Sequence, residues 1–219
     1  MRRCVKRFGL GAGTLLCVAS IFCVYLYVFG PSIERPCDYT VEVDEGVNDY
    51  GDADGDGVPD GADILNSALT YIAERPMYES RYYSKGYPDD GFGVCTDVVT
   101  FGCLGAGFDH RELVSDDIKC APEEYSVFTP DKNIDFRRVR VLETFFERNA
   151  LSLSCELEDE GQWQGGDIVV FENHIGIVSD RRNAQGIPYL IHHASRLQLA
   201  YEEDALGRSG TIVGHYRMT

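Results

Sequence analysis

The longest uncharged stretch of this 219-residue chain sets the first constraint: Phe8 to Gly30 run 23 residues without a charged side chain. A helix needs about 20 such residues to cross a bilayer, whereas a secretory signal core has about 7–15 and ends at small residues. This run ends in bulky Tyr25-Leu-Tyr-Val-Phe29, and Leu16 and Phe22 precede Cys17 and Cys23 where lipidation needs small residues. The reading is an uncleaved anchor. Arg2, Arg3, Lys6 and Arg7 form a basic head that stays in the cytoplasm, which leaves the rest outside. Removing the head leaves 20 − 4 = 16 basic residues against 36 acidic ones, a balance near −20. That charge repels phosphates, so nucleic acid is excluded as a partner, and it suits a calcium-containing exterior.

Beyond the anchor segment (residues 1–30), residues 31–51 read as an acidic stalk and 52–63 as a Gly/Asp-dense loop; 64–219 form the folded domain. Apolar residues at helical spacing predict helices over 64–74, 94–106 and 139–149. Pro76 stops the first and Gly107 the second, and 116–135 reads as a long connection. The period then changes to short strands at 167–171, 175–179, 189–193 and 212–217, with a turn at 183–186. Helices first and an antiparallel sheet afterwards give an α+β domain. Outside the anchor, Cys37, Cys95, Cys103, Cys120 and Cys155 make an odd number, so at least one thiol is unpaired or pairs between chains. Cys120 and Cys155 flank the third helix and are candidates for a bridge; sequence leaves the pairing of Cys37 and Cys103 open.

In the loop, Asp52, Asp54, Asp56, Asp60 and Asp63 occupy positions 1, 3, 5, 9 and 12, with Gly57 at 6 and the Val58 carbonyl at 7. Calcium takes 6–8 hard oxygen ligands, and this spacing wraps them around one ion. Asp63 stands where an EF-hand closes with Glu, so the loop resembles those of thrombospondin type 3 repeats and dockerins. The expected cofactor is a structural Ca2+, with no organic cofactor.

Cys95 stands at the expected start of a helix, where free N–H groups and the macrodipole favour a thiolate and can hold an oxyanion. His174 opens a strand and can serve as its base, and a polar residue on the neighbouring strand can fix the tautomer of that base. His192 and His193 are the candidates for this third position. Gly176 leaves room for substrate or for close packing. Tyr87, Asp97 and Arg181 are weaker candidates for substrate contact, Asp97 also for capping the helix or binding an arginine, and Arg137, Arg138 and Arg182 for carboxylate or internal ion pairs.

The runs Gly93-Val-Cys95-Thr-Asp-Val-Val99, Asp131-Lys-Asn-Ile-Asp-Phe-Arg-Arg-Val139, Gly166-Asp-Ile-Val169, His174-Ile-Gly-Ile-Val-Ser-Asp-Arg-Arg-Asn183 and Gly214-His-Tyr-Arg217 resemble the domain of unknown function 1287 family. The resemblance covers about residues 78–217. It implies a papain-like fold near the NlpC-type cell-wall cysteine peptidases, with N-terminal helices packed on an antiparallel sheet. It further implies Cys95 as nucleophile and His174 as base. The family's usual Ile-His-Asn matches Ile191-His192-His193, which favours His192 as the orienting residue and keeps His193 as the alternative. The resulting expectation is a membrane-anchored extracytoplasmic cysteine hydrolase (a peptidase or amidase) that cuts amide bonds in peptidoglycan peptides through a Cys-His-His triad. Its partners would be a cell-wall peptide and the membrane. The competing expectation is a calcium-stabilised binding module of the same fold at the cell surface, its cysteine no longer catalytic. A redox pair of Cys95 and Cys103 lacks the usual two-residue interval.

Overall fold

The computed structural model describes residues 8–37, 39–40 and 51–219. Helix α1 covers Phe8–Phe29, with side chains described from Leu15 to Tyr25 and at Val28. Among the described residues no helix is long and apolar enough to cross a membrane. This corrects the expectation of an anchor, of the membrane as a partner, and of a cytoplasmic N-terminus with the domain outside. The basic head at 1–7 and stalk residues 38 and 41–50 lie outside the described residues. Other stalk residues lie against the domain. Ser32 exchanges backbone hydrogen bonds with Leu199 and Tyr201, and strand β1 (Tyr39–Thr40) pairs with a central strand.

Helix α2 spans Asp60–Ala73 and buries Ile64, Leu65, Ala68 and Ile72, the stripe that its spacing foretold. Asp60 and Asp63 sit in its first turn, where the macrodipole favours anions. Arg75 adopts a left-handed conformation (φ 53°) just after it, and Pro76 prevents continuation. Strands β2 (Met77–Tyr78) and β3 (Phe92–Gly93) form a small parallel pair inside a segment that otherwise lacks regular structure. Helix α3, Cys95–Gly105, is buried along most of its length, from Cys95 to Thr100 and again at Gly102 and Cys103. Helix α4 (His110–Cys120) overlaps the stretch expected as a long connection. It is polar overall and buries only His110, Val114, Ser115 and Ile118. Asp109 starts it by accepting the Arg111 N–H. Helix α5, Val139–Asn149, buries Val141, Leu142, Phe145 and Phe146; such burial stabilises by roughly 1.5–3 kcal/mol per side chain.

The sheet carries β4 (Leu151–Ser152), β5 (Ile168–Phe171), β6 (His174–Arg182), β7 (Pro188–Ile191), β8 (Glu202–Glu203) and β9 (Ile212–Arg217). Their order is β4-β9-β5-β6-β7-β8, all antiparallel, with β1 added to the far end of β6. Ile168, Val170, Ile175 and Ile177 face the helices; Val169, Phe171 and Val178 face a smaller cluster around Trp163, Leu190 and Leu206. Both faces are covered, so the central strands read as continuous apolar runs. The architecture is thus the expected α+β arrangement of helices on an antiparallel sheet. Gly176 serves close packing: a Cβ there would lie 2.8 Å from Leu190 Cδ1 and 2.9 Å from the Ile191 carbonyl.

Candidate functional site

The start of α3 meets the start of β6, and this junction brings Cys95 beside the histidines. Cys95 is the first residue of its helix and is 9% exposed. Burial pushes its thiol up to about 11, while hydrogen bonds from the Ile175 and Thr96 backbone N–H groups pull in the opposite direction. The group is therefore a neutral thiol near pH 7. Asp97 closes the helix end by accepting the Val94 N–H at 2.8 Å. Its two oxygens also take a bidentate pair from Arg137, at 2.6 and 2.8 Å, with both side chains out of solvent. Asp97 thus holds a cap and an ion pair together.

His174 pairs in register with Phe171 across the β5–β6 turn. Its Nε2 lies 2.7 Å from His192 Nδ1, and His192 Nε2 lies 3.1 Å from Glu203 Oε1. A carboxylate only accepts, so His192 carries its proton on Nε2 and accepts at Nδ1. His174 then donates from Nε2 and keeps its lone pair at Nδ1. Burial lowers His174 to about 3, and the neighbouring His192 and His193 add to this. Glu203 was absent from the sequence reading. The only signal was a Glu-Glu pair on a short edge strand, where alternation sends one residue to each face.

His193 points away from this chain of bonds. It is completely buried, with Tyr78 and Tyr201 edge-on at 5.1 Å, and neither ring nitrogen has a hydrogen-bond partner among the described residues. Burial, reinforced by His192, lowers it to about 4. Tyr87 is directed to Asp109, to which its hydroxyl donates at 2.8 Å, and packs on Phe101 and Phe136. Arg181 lies on the β1 side of β6, opposite Thr40. The described cysteines, Cys120 and Cys155 included, are all free thiols, and Cys103 is fully buried with its thiol pushed up by burial.

Asp52, Asp54 and Asp56 gather their carboxylates within 4.8 Å of one another and can coordinate a divalent cation. Asp52 accepts from the Gly55, Asp56 and Gly57 N–H groups, and Gly57 turns the loop at φ 91°. Val58 donates its N–H to Asp56. Asp60 is buried at the helix start and accepts the Ala53 N–H, and its second oxygen, like one of Asp63, has no partner among the described residues. Burial raises Asp63, with the other four loop carboxylates adding to it.

Among the described residues, this Asp cluster is the one group of three or more acidic, His or Cys side chains close enough to hold a metal ion. The expected Cys95–His174–His192 triad is not completed: His174 and His192 pair as expected, but no hydrogen bond joins Cys95 to either ring among the described residues. This corrects the reading of a membrane-anchored amide hydrolase that acts through the triad, and with it the cell-wall peptide as partner.

The chain is 34% identical over 167 residues to a protein of Escherichia coli (strain K12) named "Uncharacterized protein YijF", covering 70% of this chain and 80% of that one. No solved structure matches. Residues 65–218 match the family described as "Domain of unknown function (DUF1287)". With the match running from α2 through β9, the chain belongs to that family.

Proposed function

We propose that the protein is a calcium-braced binding module on a papain-like scaffold, with Cys95 as a resting thiol beside its site. One observation carries this reading: Cys95 is buried and, among the described residues, has no hydrogen bond to a histidine ring, while His174 is bonded to His192. An activated nucleophile requires a lowered thiol pKa and a hydrogen bond to its base, whereas burial raises the Cys95 thiol. The Asp52–Asp54–Asp56 cluster fits a calcium ion of the thrombospondin type 3 or dockerin kind, and the partnerless oxygens of Asp60 and Asp63 suit its remaining positions. Burial raises Asp63 and the neighbouring loop carboxylates add to it; the bound ion would offset that repulsion and would brace the entry to α2.

Alkylation of the full chain with iodoacetamide at pH 7.5 tests the thiol. Cys95 should react no faster than an ordinary exposed thiol, and His174→Ala should leave that rate unchanged. Fast labelling that slows in His174→Ala sinks the reading. Thermal melting tests the ion: calcium at a hundred times its dissociation constant should add about 2.7 kcal/mol, and Asp54→Asn should remove the gain. A second reading is cysteine hydrolase activity on a substrate still unproven. It is favoured by the His174 Nδ1 lone pair and by the Ile175 and Thr96 N–H groups at the sulfur. Rapid alkylation would select it.

A further inference from the structure

Beside Cys95 lies a cavity of about 130 Å³, walled by Met77, Tyr78, Phe92, His193 and Ser195, with Glu79, Arg81 and Arg196 at its polar side. Three observations separate it from an ordinary packing gap. First, His193 lines it while completely buried, with two ring nitrogens that have no hydrogen-bond partner among the described residues. A buried polar group without a partner costs about 1–3 kcal/mol, so a site that retains one is incomplete without something to meet it. Second, one of its walls, Tyr78, lies near the thiol. Tyr78 pairs with Gly93, two residues before Cys95, and the Cys95 sulfur adds to burial in raising the Tyr78 hydroxyl. Third, its charges are already matched. Arg81 bonds Glu79 at 2.9 Å and Asp90 at 2.8 Å and lies over the Phe92 ring, while Arg196 bonds Glu79.

These features define the occupant. An apolar cavity of about 150 Å³ holds one benzene molecule, so this one takes about six heavy atoms or a single side chain. The apolar walls of Met77, Tyr78 and Phe92 call for a branched or planar apolar body. A carboxylate would compete with Glu79 and Asp90 for the two arginines, and a cation would face those arginines. A neutral imidazole carries one donor and one acceptor, which an amide complements with its carbonyl and its N–H. We propose that this cavity is a ligand subsite for a small uncharged amide, either free or as one residue of a larger ligand, with His193 as its hydrogen-bonding residue. Gly30 and Pro31 lie at its rim, so the segment after α1 helps to shape its entrance.

The inference rests on the binding-module reading, and its test uses a separate readout. Three probes of nearly equal shape, isobutyramide, isobutyrate and isobutylamine, are titrated into the full chain at pH 7.5 and followed through the histidine ring nitrogens by NMR. Isobutyramide should bind at least tenfold more tightly than the other two and should move the His193 signals. His193→Phe, which keeps the ring and removes its nitrogens, should weaken isobutyramide at least fivefold. Phe128→Ala, at an exposed side chain outside the cavity lining, should leave the fold intact and the preference among probes unchanged. Equal affinity for the three probes, no binding of isobutyramide, or static His193 signals would each overturn the subsite. Fast alkylation of Cys95 beside a retained amide preference would overturn the binding-module reading alone.

Discussion

Two buried histidine clusters flank the sheet, and they are satisfied to different degrees. At one, His215 has both ring nitrogens engaged, Nδ1 with the Ser154 carbonyl at 2.7 Å and Nε2 with Asp167 at 3.1 Å, and Trp163 stacks on it at 3.7 Å. Asp167 also holds Arg217 through two bonds and accepts the Gln164 N–H. At the other, His174, His192 and Glu203 form a chain that ends in a lone pair, and His193 has no hydrogen-bond partner among the described residues. The same residue type locks one region and leaves unmet hydrogen-bonding capacity in the other. A fully satisfied polar network specifies structure, whereas a buried group left short of partners marks a place where a ligand has something to add.

Breaking the locked cluster should have the largest effect. Asp167→Ala leaves Arg217 buried beside His215, with side chains 5% and 0% exposed, and should cost about 3–5 kcal/mol in urea unfolding. It should leave the isobutyramide preference unchanged in the protein that remains folded. A loss below about 1 kcal/mol would show that the cluster is no lock.

Acid should act next, through the histidines that lack such support. His110, His174 and His193 are lowered from 6.5 to about 3, 3 and 4, each chiefly by burial. Below pH 6.5 the unfolded chain takes up protons that the folded chain refuses, so stability is full above that pH and falls as pH drops towards 4. Each histidine contributes at most about 1.4 kcal/mol per pH unit in this window. His110→Phe, placed against Phe145 and Phe146, should flatten the slope by about one histidine's share and change nothing at pH 7.5. A slope identical to that of the wild type would remove His110 from the account.

The smallest effect should come from Glu203→Ala. Its hydrogen bond to His192 is partly exposed, and removing it should cost about 1 kcal/mol. The sharper readout is the His192 tautomer. Nitrogen NMR should show the proton fixed on Nε2 in the wild type and distributed over both nitrogens in the variant. An unchanged single tautomer would mean that His174 alone sets the orientation.

Much of this fold was legible where local pattern and tertiary packing agree. The apolar stripe of α5 gave its bounds at 139 and 149, and the run at 167–171 gave β5 to within a residue. Helix α4 was not legible because its polar sequence has only a narrow buried face. The extension of β6 to Arg182 was missed because pairing with β1 and with Pro188 carries it past the apolar run.

By itself, the sequence determined the α+β order, the Asp-rich loop that gathers three carboxylates, and the placing of Cys95 and His174 at the starts of their elements. Spacing along one chain dictates each of these. The tertiary structure alone decided that His174 is bonded to His192, that Glu203 orients the pair, and that His193 stands apart in a cavity wall. The physical reason is the period of two along a strand: His192 and His193 are indistinguishable by spacing until the sheet gives each a face and each face a set of neighbours.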